Sequence, residues 1–101
     1  MTQDSFKEFV LDQLHGLDHL SCRAMFGGHG LYRGNRFFGI IFKGRLYLKT
    51  TDVTRGEYQA RGMKPFRPNS KQTLREYYEV PEDVLDDPEA LRLWAGKAAA
   101  S

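Results

Sequence analysis

Cysteine, long apolar runs and nucleotide- or metal-binding motifs are what this sequence lacks. Cys22 is the only cysteine in 101 residues, which excludes an internal disulfide and makes a reducing compartment the default. No apolar run approaches the roughly 20 residues that a helix needs to cross a bilayer. The first five residues hold neither a basic stretch nor an apolar segment typical of export signals. We therefore expect a cytoplasmic protein with no membrane contact.

The absent motifs also limit the chemistry that we expect. The sequence has no Walker, Rossmann or zinc pattern, so we predict no cofactor and no metal site. An apolar fraction of 41% and a charged fraction of 28% are ordinary for a globular protein. The length is that of one domain, which we assign to residues 1–101.

The stretch 25–49 predicts three consecutive antiparallel strands. Its apolar runs at 31–32, 37–42 and 46–48 are separated by Gly34-Asn35 and Lys43-Gly44. Glycine adopts the positive φ that two-residue hairpin turns require, so both dipeptides predict tight turns. A short strand near 22–26 is expected to precede them.

The run 37–42 is apolar on both faces. Strict alternation puts Phe37, Gly39 and Ile41 on one face, and Phe38, Ile40 and Phe42 on the other. Such a strand lies in the middle of a sheet and is covered on both sides. In the next run Leu46 and Leu48 alternate with Arg45, Tyr47 and Lys49, which predicts a half-solvated surface.

Helices are predicted on either side of these strands. The first begins at Asp4 or Ser5 and runs to about Leu14, and the second covers roughly 52–61 and is ended by Gly62. The clearest start is Asp87-Pro88-Glu89, which combines a capping side chain, a proline in the first turn and an acidic residue near the helix dipole.

The remaining segments complete the fold. Residues 63–71 contain two prolines and predict a loop or an edge strand. Residues 74–80 predict a strand with Leu74, Tyr78 and Val80 on one face, and residues 81–86 predict one helical turn. The order α-β-β-β-β-α-(β)-β-α predicts a two-layer α+β domain, with an antiparallel sheet of four to five strands and flanking helices.

Charge is distributed unevenly along the chain. Residues 33–75 carry eleven basic and two acidic side chains, whereas residues 76–101 carry two basic and seven acidic ones. The basic middle segment includes a set that could bind phosphates next to aromatic rings that stack on bases: Arg33, Arg36, Arg45 and Lys49, with Tyr32 and Tyr47. The acidic segment could instead lie over the basic one and neutralise it.

Two further functional classes are weighed against nucleic-acid binding. The first is protein contact, since aromatic residues are typical of interfaces: Tyr58, Phe66, Tyr77, Tyr78 and Trp94. An edge strand near 64–72 could pair with a second copy and form a homodimer. The second is hydrolysis with His29 as a base beside Ser21 or Cys22. The sequence has no motif for a group that would orient this base or for an oxyanion site, so we expect no enzyme. We expect His15 and His19 at the surface and Cys22 in the core.

The motifs in this sequence resemble those of one known family. The segments MFGGHGLY, FFGIIFKGRLYLKT, TRGEYQARGM and YYEVPEDVLDDPEALRLWA, in this order and spacing, resemble the N-terminal domain of the TfoX/Sxy competence regulators over about residues 6–98. The resemblance implies a secretion-chaperone-like α+β fold. It also implies a non-enzymatic role as a co-regulator of DNA-uptake genes, in contact with a DNA-bound transcription activator.

The resemblance supplies signature positions but no catalytic residues. They are Met25, Phe26, Gly27, Gly28, Gly30 and Tyr32. Since Gly30 precedes another strand and not a helix, we interpret this glycine cluster as a bulge or tight turn with close backbone approach, and not as a phosphate cradle.

Overall fold

The structure is a computed structural model that describes residues 3–25 and 27–100. Its elements, in chain order, are α1 Gln3–Gln13, β1 Leu20–Met25, β2 Gly28–Arg33, β3 Arg36–Phe42, β4 Arg45–Lys49, α2 Asp52–Ala60, β5 Pro65–Asn69, β6 Gln72–Glu79, α3 Glu82–Leu85 and α4 Pro88–Ala99. The strands form one sheet in the order β1-β2-β3-β4-β6-β5, and every neighbouring pair is antiparallel. None of the described helices has the length and apolar character needed to cross a bilayer.

All four helices pack on one face of the sheet. The main core joins apolar side chains of α1, α2, α3 and α4 to strand residues that include Leu31, Phe38 and Leu48, all fully buried. A second, smaller cluster on the opposite face contains Ile40, Tyr47 and Phe66 and no described helix residue. The predicted two-layer α+β architecture is confirmed, with six strands in place of four to five.

The predicted turns and helix starts are mostly confirmed. Arg33 pairs with Arg36 and Phe42 with Arg45, so both hairpins have two-residue turns, and Gly34 and Gly44 have positive φ. The Asp87 carboxylate accepts hydrogen bonds from the N–H groups of Glu89 and Ala90 and caps α4. Stabilisation by such a cap is typically about 1 kcal/mol.

The start of α1 was predicted incorrectly. Within the described residues the helix already includes Gln3, so Asp4 and Ser5 lie inside α1 and neither is the residue that precedes it. Capping residues are also tolerated in the first turn, so the sequence gives two or three equivalent positions for the start. At its other end α1 stops at Gln13, one residue before the predicted end.

A β-bulge in β3 changes the predicted faces of the central strand. Leu31 pairs with Gly39 while Tyr32 pairs with Phe37, which leaves Phe38 without a partner in β2. Phe38 and Ile41 consequently belong to the helix-side core, and Phe37, Ile40 and Phe42 belong to the opposite face. Strict alternation was therefore wrong beyond Phe38, although the middle position of the strand in the sheet is confirmed.

A second irregularity lies in β6. Pro65 pairs with Tyr78 but the next β5 residue, Phe66, pairs with Leu74, so β6 has extra residues between them. Tyr78 packs in the helix-side core, while Leu74 packs in the opposite cluster. The prediction that these two side chains share a face was wrong for this reason. The segment 63–71 forms an edge strand, one of its two predicted alternatives.

Candidate interaction surface

The face of the sheet opposite the helices carries a nearly continuous layer of aromatic rings. Its members are Tyr32, Phe37, Phe42, Tyr47, Phe66 and Tyr77. No described helix covers them, and the β5–β6 hairpin covers only part of them, through Phe66. We call this side of the sheet the open face.

One half of the open face is covered by β5. The Phe66 side chain is fully buried, and its ring centroid lies 4.7 Å from that of Tyr47 and 5.3 Å from that of Phe42. Tyr47 is only 9% exposed as a result, and its burial raises the pKa of its hydroxyl. The prediction of a half-solvated surface on this side of β4 was therefore wrong at Tyr47.

The other half of the open face is a row of three partly exposed rings. The centroid of Phe37 lies 5.2 Å from that of Tyr32 and 5.5 Å from that of Tyr77. These separations are typical of favourable aromatic pairs, so each ring is held in place by its neighbour. Desolvation raises the pKa of Tyr77, and nearby Glu76 and Tyr32 raise it further. Its hydroxyl therefore stays protonated at neutral pH and can donate a hydrogen bond.

Cations flank the aromatic layer. The guanidinium of Arg23 lies 5.0 Å from the ring centroid of Tyr32, and the Lys43 ammonium lies 5.3 Å from that of Phe42. Both separations are in the range of cation–π attraction. The open face thus combines apolar rings with positive charge.

The signature glycines make the close packing of this face possible. A Cβ atom on Gly28 would overlap the backbone carbonyl oxygen of Ile41 in the neighbouring strand. A Cβ on Gly30 would lie 2.6 Å from the Met25 sulfur and 2.9 Å from the Phe37 ring. Both glycines lie inside β2 and not in a turn, which corrects part of the prediction, while the predicted close approach is confirmed. The predicted tight turn is found one residue earlier, at Gly27, which has a φ of 81°.

The signature positions otherwise converge on the open face. Met25 lies against Gly30, and Tyr32 contacts Phe37. Phe26 lies outside the described residues. The signature therefore forms a structural unit that shapes the β1–β2 end of the aromatic layer.

The predicted basic set is divided between different parts of the molecule. Arg33 donates a hydrogen bond from its Nε to the carbonyl oxygen of Asp18, and it pairs in the sheet with Leu20, whose side chain packs against the helix-side core. Strand alternation thus places Arg33 on the helix side, together with its partner Arg36. Lys49 pairs with Tyr77 and lines a small pocket beside Trp94. The structure thus separates Arg33 and Arg36 from Arg45, Tyr47 and Lys49, which strand alternation places together on the open face.

The acidic C-terminal segment partly neutralises the basic middle segment. Arg45 Nη1 lies 2.9 Å from Glu79 Oε1, and Arg61 Nη1 lies 2.6 Å from Asp83 Oδ2. Arg61 holds the pKa of Asp83 below its usual value, chiefly through this hydrogen bond. The two ion pairs border a groove of about 760 Å³ at the end of the sheet. They show that negative charge from the C-terminal segment lies against two of the basic residues, Arg45 and Arg61.

The groups weighed for catalysis are divided between the two faces of the sheet, because strand pairing places His29 and Cys22 on the helix side and Ser21 on the open face. His29 pairs with Ala24 and Ile41, and its Nδ1 atom is buried without a hydrogen-bond partner among the described residues. Ser21 is exposed on the open face by strand alternation, whereas Cys22 packs against the helix-side core. Burial raises the pKa of the Cys22 thiol, although nearby Lys7 lowers it slightly. The thiol is therefore largely protonated at neutral pH.

Several residues of the open face were missed by sequence reasoning. Arg23 and Phe37 were not assigned to any functional set, and Tyr77 was assigned to no particular surface. Alternation in β1 could have identified Arg23, because it places Ser21, Arg23 and Met25 on one face of the sheet, which is the open face. Phe37 could not be placed, because the bulge at Phe38 follows it directly.

Comparison with known proteins gives one family match. Residues 12–101 match the TfoX N-terminal domain, which is nearly the whole chain. No curated protein matches the sequence significantly. The motifs, the confirmed fold and this match agree, and the chain belongs to the TfoX N-terminal domain family.

Proposed function

We propose that this chain is a non-enzymatic regulatory domain, of the type found in competence regulators, that acts by binding another protein through its open face. Membership of the TfoX N-terminal domain family supports the regulatory role. The partly exposed row of Tyr32, Phe37 and Tyr77, which no described helix covers, carries the proposal. The partner class that the family suggests is a DNA-bound transcription activator.

The row of three rings is preorganised for binding. Each ring in the row is fixed by its neighbours before binding, so little side-chain entropy remains to be lost on association. Tyrosine and arginine are enriched among the residues that dominate interface energies, and Arg23 lies over Tyr32 in the same row. An apolar layer with flanking cations therefore favours a partner with an apolar patch and acidic neighbours.

Replacing Tyr77 by glutamine tests the proposed surface. We expect Tyr77→Gln to lower the affinity for the activator–DNA complex about thirtyfold, because truncation of a central aromatic residue commonly costs about 2 kcal/mol or more. Transcription of a DNA-uptake gene should fall in parallel. The matched control is Leu93→Gln on α4, which removes an apolar side chain that is 60% exposed on the helix side.

Thermal unfolding of both variants separates loss of contact from loss of fold. The proposal requires that Tyr77→Gln remain folded and lose binding while Leu93→Gln retains it. If the two variants have the same affinity for the activator–DNA complex, or if only Leu93→Gln loses affinity, the open face is excluded as the contact surface.

Single-stranded nucleic acid is a second candidate partner for the open face. Arg23 and Lys43 lie over aromatic rings of this face, and stacking with phosphate neutralisation is how such strands are bound. Direct binding predicts an affinity for an oligothymidine that falls steeply between about 50 and 200 mM salt, with a log–log slope reduced by about one in Arg23→Gln. Absence of binding at 50 mM salt eliminates this candidate.

A further inference from the structure

We propose that β1 is the strand through which two copies of this chain pair, in an antiparallel arrangement with Cys22 opposite Cys22 of the second copy. This would join two sheets into one of twelve strands. The inference rests on the edges of the sheet and not on the function of the open face.

The two edges of the sheet differ in their ability to accept another strand. β5 contains Pro65 and Pro68 within five residues, and proline has no backbone N–H to donate. Its pairing with β6 is also interrupted by two register shifts. Prolines and irregularities of this kind protect an edge from further pairing. The edge that was expected to form the homodimer is therefore the poorer of the two.

β1 has none of these protections. Its six residues pair with β2 without a register shift, and they include no proline and one charged residue, Arg23. Among the described elements, only β2 packs extensively along β1. The Arg23 side chain lies over the Tyr32 ring of β2, and so it is directed away from the outer edge of β1.

The hydrogen-bonding groups at this edge can be identified from the register. The Gly34 N–H donates to the carbonyl oxygen of His19 at 2.9 Å, and these residues continue the β1–β2 pairing. Odd-numbered residues of β1 therefore direct their backbone groups towards β2, and Leu20, Cys22 and Ala24 direct theirs outwards. The unpaired groups of the edge belong to these three residues.

One register pairs all three of these residues with a second copy. Cys22 then lies opposite Cys22 of the second copy, and Leu20 of each copy lies opposite Ala24 of the other. Three such residue pairs give roughly six backbone hydrogen bonds. Ser21 lies opposite Arg23 of the other copy, so the two guanidinium groups do not face each other. The strand is therefore complementary to itself in hydrogen bonding, and this register places no like charges directly opposite each other. This self-complementarity favours a second copy of the chain as the partner of β1.

The first test uses the single cysteine as a reporter. Cα atoms of a hydrogen-bonded antiparallel pair lie about 5.5 Å apart, within reach of a short bismaleimide. We expect the reagent to convert the wild-type chain to a covalent dimer by addition of both thiols. The Cys22→Ser variant should give none. A chain that stays monomeric in mass from about 1 µM to about 1 mM, with no crosslinked product, would overturn the proposal.

The second test uses charge to check the register. Ser21→Glu should tighten the dimer about fivefold and Ser21→Arg should weaken it about fivefold, because each copy places position 21 opposite Arg23 of the other. Sedimentation equilibrium measures both constants, and Arg67→Glu on the exposed side of β5 is the matched control. A dimer that responds to Arg67→Glu but not to the changes at Ser21 would place the contact at the other edge and contradict the inference.

Discussion

Gly28→Val is expected to leave most of the chain unfolded at room temperature. The Cβ of any other residue at this position would overlap the carbonyl oxygen of Ile41, and it would also approach the Phe42 ring to 3.2 Å. A backbone atom in the middle of a sheet cannot move aside as the end of a flexible side chain can. We expect the free energy of unfolding to fall by about 4 kcal/mol or more, which is comparable to the whole stability of a small domain.

Circular dichroism with urea unfolding measures this loss, and two other glycines supply controls. Gly56 lies exposed in α2 with open space around its position, so Gly56→Ala should raise the free energy of unfolding by about 0.8 kcal/mol. The free energy of unfolding of Gly30→Ala should lie between those of the other two variants. The atom nearest to the added Cβ is the Met25 sulfur, which belongs to a flexible side chain and can move. A Gly28→Val chain with wild-type unfolding behaviour would show that the signature glycine does not set the spacing of β2 and β3.

Phe66→Ala is expected to lower the free energy of unfolding by about 3–5 kcal/mol, as in a conventional core. Phe66 is fully buried even though it lies on an edge strand beside two prolines, and its ring contacts both Tyr47 and Phe42. Its removal would leave a cavity on the open face and detach β5 from the layer beneath it. Chemical unfolding of the purified chain measures the change.

Leu93→Ala is the matched control for this substitution. The Leu93 side chain is 60% exposed on α4, so its truncation should change the free energy of unfolding by less than about 0.5 kcal/mol. A loss below about 1 kcal/mol in Phe66→Ala would mean that β5 does not fold over the sheet as described.

Local chemistry determined the parts of the fold that the sequence predicted well. The turn at Lys43-Gly44 and the cap at Asp87 depend on a few adjacent residues, and both are found as predicted. The helix-side character of Leu46 and Leu48 also follows from simple alternation in a regular strand. These features need no knowledge of distant contacts.

The errors arose where the chain departs from regular geometry. The bulge at Phe38 depends on packing between strands, because it places Phe38 in the helix-side core beside Gly39, whose missing Cβ lets Leu31 and Leu48 approach closely. Nothing in the local sequence separates this arrangement from strict alternation. The extra residues in β6 have the same effect on Leu74, which then packs on the open face.

The candidate surface could be predicted only in part for the same reason. Tyr32 is predicted both from its position beside the basic residues and from the family signature, and it lies on the open face beside Phe37. Arg33 and Arg36, chosen for their charge, lie on the helix side by their pairing. A list of basic residues along a chain does not give their arrangement, because alternation within each strand and the register across each turn decide the face of each side chain.

Pairing through β1 and binding through the open face are compatible. The β1 edge lies next to Arg23 and Tyr32, so a paired sheet would place two aromatic rows on one continuous surface. A dimeric partner on DNA could then contact both rows at once, which raises the effective affinity without new contacts within each row.

The most direct test of the open face as the binding surface is an aromatic NMR spectrum of the labelled chain, titrated with the activator–DNA complex. The account predicts that the resonances of Tyr32, Phe37 and Tyr77 shift or broaden first, while those of Tyr58 and Trp94 on the helix side stay unchanged. Perturbation centred on Tyr58 and Trp94, with the three rings of the open face unaffected, would contradict it.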